Sequence, residues 1–196
     1  MVCGRRFNVT TRSDMSNFER AGNAYSLDLT LDEAHILLNL VEQLLELLGE
    51  GDFFHHYDTT DPFAALMSMQ QEVVAPDDPV LMRLLPNAYA DPEAAGDFRR
   101  FTESTIRSTK QRILREVRAH LAILVDEDKA GTVADLEADT WLIALNDLRL
   151  ALSVRLEINE ESFDLFESLP DEDPQKSIYA VYYWLGWLQE NLLNLL

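Results

Sequence analysis

Apolar residues recur at helical spacing over most of the chain. Across 31–48, Leu37, Leu40, Val41, Leu44, Leu45 and Leu48 follow the i, i+3, i+4, i+7 rhythm, with Asp32, Asn39, Glu42, Gln43 and Glu46 largely opposite. That pattern predicts an amphipathic helix, which Gly49 and Gly51 end. Ahead of it, Tyr25, Leu27 and Leu29 alternate with Ser26 and Asp28, and Gly22-Asn23 turns the chain back onto 16–20, so a short hairpin is expected. A loop over 50–60 leads to a helix over 62–74 and a short helical segment over 79–85. The longest helix is expected over 92–125, with Ala95, Phe98, Thr102, Ile106, Ile113, Val117, Leu121 and Leu124 as its inner stripe; 126–131 reads as a turn. A helix over 136–156 is apolar nearly all round, the pattern of an element surrounded by others. Residues 157–173 carry eight acids and no base and read as a solvated connector with one helical turn near 163–166. A final helix from 174 carries Tyr179, Tyr182, Tyr183, Trp184 and Trp187.

Start signals agree with that periodicity. Asp61-Pro62, Asp78-Pro79, Asp91-Pro92 and Asp173-Pro174 each place an N-cap carboxylate before a proline that lacks only a donor the helix would leave unpaired. Thr30 and Glu33 form a T-x-x-E capping box. None of the seven prolines falls inside an expected helix. The fold class expected is therefore all-α: one helical bundle of about five principal helices over 1–196, with room for the small N-terminal hairpin and for disorder in 1–15.

Charge narrows the function classes. Sixteen bases against 35 acids give −19 and a pI near 4.4, so the overall field repels phosphate backbones. The long helix departs from this: 99–118 holds seven bases and two acids, a local +5 that leaves −24 on the rest. Arg100, Arg107 and Arg118 align on it, and Arg99 and Lys110 border the apolar stripe. These five make a basic ridge that receives either an acidic partner or the protein's own acidic segments, such as 157–173. A single cysteine, Cys3, rules out an intrachain disulfide or a CxxC site. No apolar h-region and no stretch of bilayer length are present, which reads as a cytoplasmic protein without a membrane span.

Candidate chemistry is sparse. Asn146, Asp147 and Arg149 interrupt the most apolar helix, and buried charge there calls for partners: an arginine of the long helix for Asp147, a carboxylate for Arg149. His55-His56 stand in a loop with Asp52, Asp58 and Asp61, without a third ligand at fixed spacing, so a small-molecule or metal-binding protein or enzyme using this loop is the weaker alternative, as is direct DNA binding by the basic helix. His120 follows Glu116 by four residues, the spacing of a side-chain pair. Asp32-Glu33-Ala34-His35 spells a helicase-like tetrapeptide but has no phosphate loop to accompany it, and no GxSxG, HExxH or GxGxxG occurs. No catalytic residue, cofactor or enzyme activity is expected. The aromatic last helix suits the core, and also self-association into a homodimer.

Three segments carry a resemblance. They are Ala88-Tyr89 through Asp91-Pro92-Glu93-Ala94-Ala95 to Phe98-Arg99, Thr102-Glu103, Arg107 and Lys110; Trp141-Leu142-x-Ala144-Leu145-Asn146-Asp147-Leu148-Arg149-Leu150 with Arg155-Leu156; and Tyr182-x-Trp184-Leu185-x-x-Leu188-Gln189. Together with the capped leucine-rich helix they resemble the actinobacterial oxidative-stress regulator AosR family, first catalogued as a domain of unknown function. The resemblance implies a regulator working through protein contacts, with RNA polymerase or a sigma factor as partner, and no established enzyme activity. Thiol sensing in that family needs two nearby cysteines, whereas this chain has Cys3 alone. Sensing here would require an intermolecular bond or a sulfenic acid at Cys3, activated by Arg5 and Arg6.

Overall fold

The computed structural model describes residues 17–22, 24–49, 76–126 and 131–196. Cys3, the first fifteen residues, the His55-His56 loop and the helix expected over 62–74 lie outside them.

Strands β1 (Phe18–Ala21) and β2 (Ala24–Leu29) form the expected hairpin, pairing Phe18 with Leu27 and Ala21 with Ala24. The alternation of β2 sends Leu27 and Leu29 inward and Asp28 to solvent. Helix α1 (Leu31–Leu47) starts on the Thr30 box: Glu33 N donates to Thr30 Oγ1 at 3.3 Å, and Thr30 N donates to the Glu33 carboxylate at 2.8 Å. Helix α2 (Pro79–Leu84) starts where Asp78 accepts from Val80 N at 2.7 Å. Helix α3 (Pro92–Asp126) starts where Asp91 accepts from Ala94 N at 2.9 Å. After it come β3 (Gly131–Leu136), α4 (Ala138–Arg155), α5 (Ser162–Ser168) and α6 (Pro174–Leu193), whose cap Asp173 accepts from Gln175 N at 2.9 Å. Each aspartate before a described Asp-Pro helix start thus satisfies backbone donors that the first turn would otherwise leave bare.

The all-α expectation needs one correction. Strand β3 pairs antiparallel with β2, Leu27 opposite Val133 and Leu29 opposite Gly131, making a three-stranded sheet in the order β1-β2-β3. Its short sequence carries little strand propensity, and Asp135 takes a left-handed φ of 57°, which breaks the alternation. Pairing with a strand a hundred residues earlier makes it a strand.

Helix α4 is central, as its all-round apolarity suggested: it packs against α1, α2, α3 and α6. One hydrophobic cluster joins Phe18 and Leu27 of the sheet, Leu37 and Val41 of α1, Leu114 and Leu121 of α3, Trp141 and Leu145 of α4, and Leu185 and Leu188 of α6. Among the described residues no helix is long and apolar enough to cross a membrane.

Candidate functional site

The inward face of α3 is polar over its first half. Ile113, Leu114, Val117, Leu121 and Leu124 bury the second half, but upstream the buried or half-buried line runs Arg99, Glu103, Arg107, Lys110 and Gln111. Phe98 and Ile106, expected inside, are exposed. Arg99 is buried and donates to Leu85 O at 3.2 Å and Asn87 Oδ1 at 2.6 Å, and it pairs with Glu103. The other Glu103 oxygen accepts from Arg107 at 2.7 Å. Burial raises the Glu103 pKa, but the hydrogen bonds and charges of Arg107 and Arg99 outweigh it and hold the carboxyl below its ordinary value.

These donors answer a need of α1. That helix begins with Asp32 and Glu33 and has no base in its last turn, so nothing of its own offsets the negative end of its dipole. Gln111 Nε2 donates to Leu48 O at 2.9 Å and Arg107 Nη1 to the same carbonyl at 3.4 Å. Gly49, at φ 85°, lets the chain leave beneath them.

One turn further, Lys110 Nζ donates to both Asp147 oxygens at 2.7 and 2.8 Å, joining α3 to α4. The base that meets Asp147 is this lysine, in place of the expected arginine. Asp147 is 2% exposed, and burial raises its pKa despite the lysine's opposing pull. Against the expectation, Arg149 meets no carboxylate among the described residues. Its Nη1 donates to Gln189 Oε1 at 2.8 Å, and its guanidinium lies 5.1 Å from the Tyr182 ring centre. Gly186 makes room for it, since a Cβ there would stand 3.2 Å from the Arg149 Cζ. Asn146 is exposed.

Of the basic ridge, then, Arg99, Arg107 and Lys110 are turned onto the protein itself. The acids they meet are Glu103 and Asp147, not the 157–173 run. Arg100 is half-buried and pairs with Asp97 at 3.3 Å; Arg118 is half-buried and engaged. His120 lies parallel to Trp141 with ring centres 6.3 Å apart, while Glu116, its expected partner, meets Arg112 at 3.6 Å and Thr140 at 3.4 Å. The Asp32-to-His35 tetrapeptide is capping chemistry, with His35 Nδ1 2.8 Å from Leu31 O. Among the described residues no three His, Cys, Asp or Glu gather to hold a metal.

Two aromatic surfaces remain that the sequence did not single out as exposed. Along α3, Phe98 and Phe101 face solvent, Phe98 edge-on to Tyr89 at 5.8 Å. Separately, α5 and α6 share an aromatic group. Phe166 stacks on Tyr179 at 4.3 Å, Tyr179 meets Tyr183 at 5.2 Å, and Phe163 lies 6.4 Å from Tyr183. Burial, with Tyr183, Tyr182 and Glu167 adding to it, pushes the Tyr179 hydroxyl up to about 12.

Residues 15–196 match the family model described as Domain of unknown function (DUF2017). The chain is 30% identical over 216 residues to the protein named Oxidative stress regulator AosR in Mycobacterium bovis, covering 100% of this chain and 97% of that protein. The same figures hold for the protein of that name in Mycobacterium tuberculosis H37Rv. No solved structure matches.

Proposed function

The chain belongs to the DUF2017 family and is related along its whole length to mycobacterial proteins named oxidative stress regulator AosR, and from that premise we propose that it is a regulator of the oxidative-stress response. On this reading it works through protein contacts, with RNA polymerase or a sigma factor as partner, and carries out no reaction of its own. The observation that carries the reading is the full-length similarity to a regulator. The use of the polar residues supports the non-catalytic part: Arg99, Glu103, Arg107, Lys110, Gln111 and Asp147 bind one another and the ends of neighbouring helices, the arrangement of a scaffold in fixed register. The exposed aromatic surfaces supply faces suited to partners.

The test pairs a purified component assay with a cell measurement. The chain is mixed with RNA polymerase core and with each sigma factor of its own organism, and co-elution is followed by size exclusion. Peroxide-induced transcripts are compared with and without its gene. Co-elution with one component and an altered peroxide response are expected; an unchanged transcript profile and no co-elution would remove the reading. A Cys3→Ser variant that keeps the peroxide response would remove Cys3 as the oxidant sensor.

A further inference from the structure

The surface joining α5 to the first half of α6 combines exposed rings with an excess of acid. Phe163 is 53% exposed and Tyr183 54%, and they tilt toward each other at 57°. Beneath them Phe166 and Tyr179 stack as a satellite, outside the main hydrophobic cluster. The rings are therefore held in place from below while their outer faces stay in water. Contiguous exposed aromatic surface of this kind marks a contact site more often than scattered apolar residues do.

Around the rings, Glu160, Glu161, Asp164 and Glu167 are exposed, and so is Asp171. The neighbouring base, Lys176, is held at the end of α5, where its Nζ donates to Leu169 O at 2.9 Å and Asp171 at 3.1 Å and also lies 3.4 Å from Glu167 O. Lys176 thus offsets Asp171, and Glu160, Glu161, Asp164 and Glu167 keep the rim negative. Charge selects the occupant. Nucleic acid is repelled by the rim and by the overall −19, and a second copy would bring the same acids to the same place. A lysine- and arginine-rich segment fits, because its aliphatic stems cover the rings while the charged heads reach the carboxylates.

We propose that the α5–α6 face, centred on Phe163 and Tyr183 and rimmed by Asp164 and Glu167, is the docking site for a basic protein segment with apolar anchors. This deepens the regulatory reading by naming the partner's chemistry. Its test asks only for binding, so its failure is distinct from a failure to affect transcription.

The probe is a short fluorescein-labelled peptide of alternating arginine and leucine, titrated with the full-length chain and followed by anisotropy. A glutamate and leucine peptide serves as control. Saturable binding to the basic peptide alone, weakened by salt, is expected. Phe163→Ser with Tyr183→Ser, and separately Asp164→Lys with Glu167→Lys, should each weaken it roughly tenfold. Glu42→Lys with Glu46→Lys, on the exposed side of α1, should bind as the parent does. Circular dichroism checks that every variant keeps its helix content. Equal losses from the two charge reversals, or no loss from the aromatic variant, would overturn the proposal. So would a dimer in sedimentation that Tyr183→Ser dissolves, since the occupant would then be a second copy; a monomer at every concentration supports it.

Discussion

Glu103 accepts from Arg99 and Arg107 at once, and this makes it the side chain whose charge matters most to the α3 seam. Its carboxyl is held below the ordinary 4.5, so the folded state binds that proton less readily than the unfolded chain does. The stability it contributes is present above about 4.5 and is lost as pH falls through the lower, folded value. Glu103→Gln is therefore expected to lower the urea midpoint at neutral pH, with the gap to the parent closing below that range. Asp147 has the opposite sign. Burial raises it above 3.8, so the folded state takes up its proton first, and acidification through the raised value favours folding at that position. Removing its partner is nonetheless harmful at neutral pH, because an ionised carboxylate would stay buried alone. Lys110→Met should cost about 3 kcal/mol by denaturant unfolding, and Lys110→Met with Asp147→Leu distinctly less than the single change. The sequence pointed to a buried charge at Asp147, since a lone carboxylate in an apolar helix needs a partner. The expected arginine proved to be Lys110, because Arg107, Lys110 and Arg118 all lie on the facing helix and only its rotation chooses among them.

Among elements, helix starts were the most legible feature. Asp78, Asp91, Asp173 and Thr30 act within three residues of themselves, so their role is written into the local sequence. Helix ends were less so. The end of α4 closes by a Schellman arrangement, with Ile158 N donating to Ser153 O at 2.9 Å and Glu157 N to Val154 O at 3.2 Å. The residue in the left-handed position is Glu157, at φ 52°, where a side chain is strained. Glu157→Gly is expected to raise stability by about 1 kcal/mol, seen as a higher urea midpoint with unchanged slope. In α3 the expected stripe failed at Phe98 and Ile106, while Ala95, Ile113, Val117, Leu121 and Leu124 are buried as it required. A stripe through Phe98, Thr102 and Ile106 is one residue away from the line Arg99, Glu103 and Arg107 that faces inward. The bare carbonyl of Leu48 and the buried Asp147 require donors, and Arg107, Lys110 and Gln111 supply them from the inward face while Phe98 and Ile106 stay exposed.

For the whole molecule, α6 ties the two ends of the described chain together. Asn191 Oδ1 accepts from Phe18 N at 2.7 Å, fixing the outer edge of β1. Phe18 in turn stands edge-on to Trp141 at 5.7 Å, so the sheet, α4 and α6 meet at one place. Asn191→Ala should cost roughly 1–2 kcal/mol, by leaving a buried backbone donor unmet, and should speed hydrogen exchange at the Phe18 amide before other β1 positions respond. The sequence by itself determined the principal helices among the described residues, their starts, the centrality of α4, the hairpin and the family resemblance. All of these rest on periodicity, on caps acting over a few residues, or on residue order, which the chain carries whatever its partners. Tertiary structure alone decided that 131–136 is a strand, that Arg99, Arg107 and Lys110 face inward, and that Phe163 and Tyr183 are left in water. Each of those depends on which unsatisfied donor, acceptor or apolar surface another element brings within reach, and no local window contains that information.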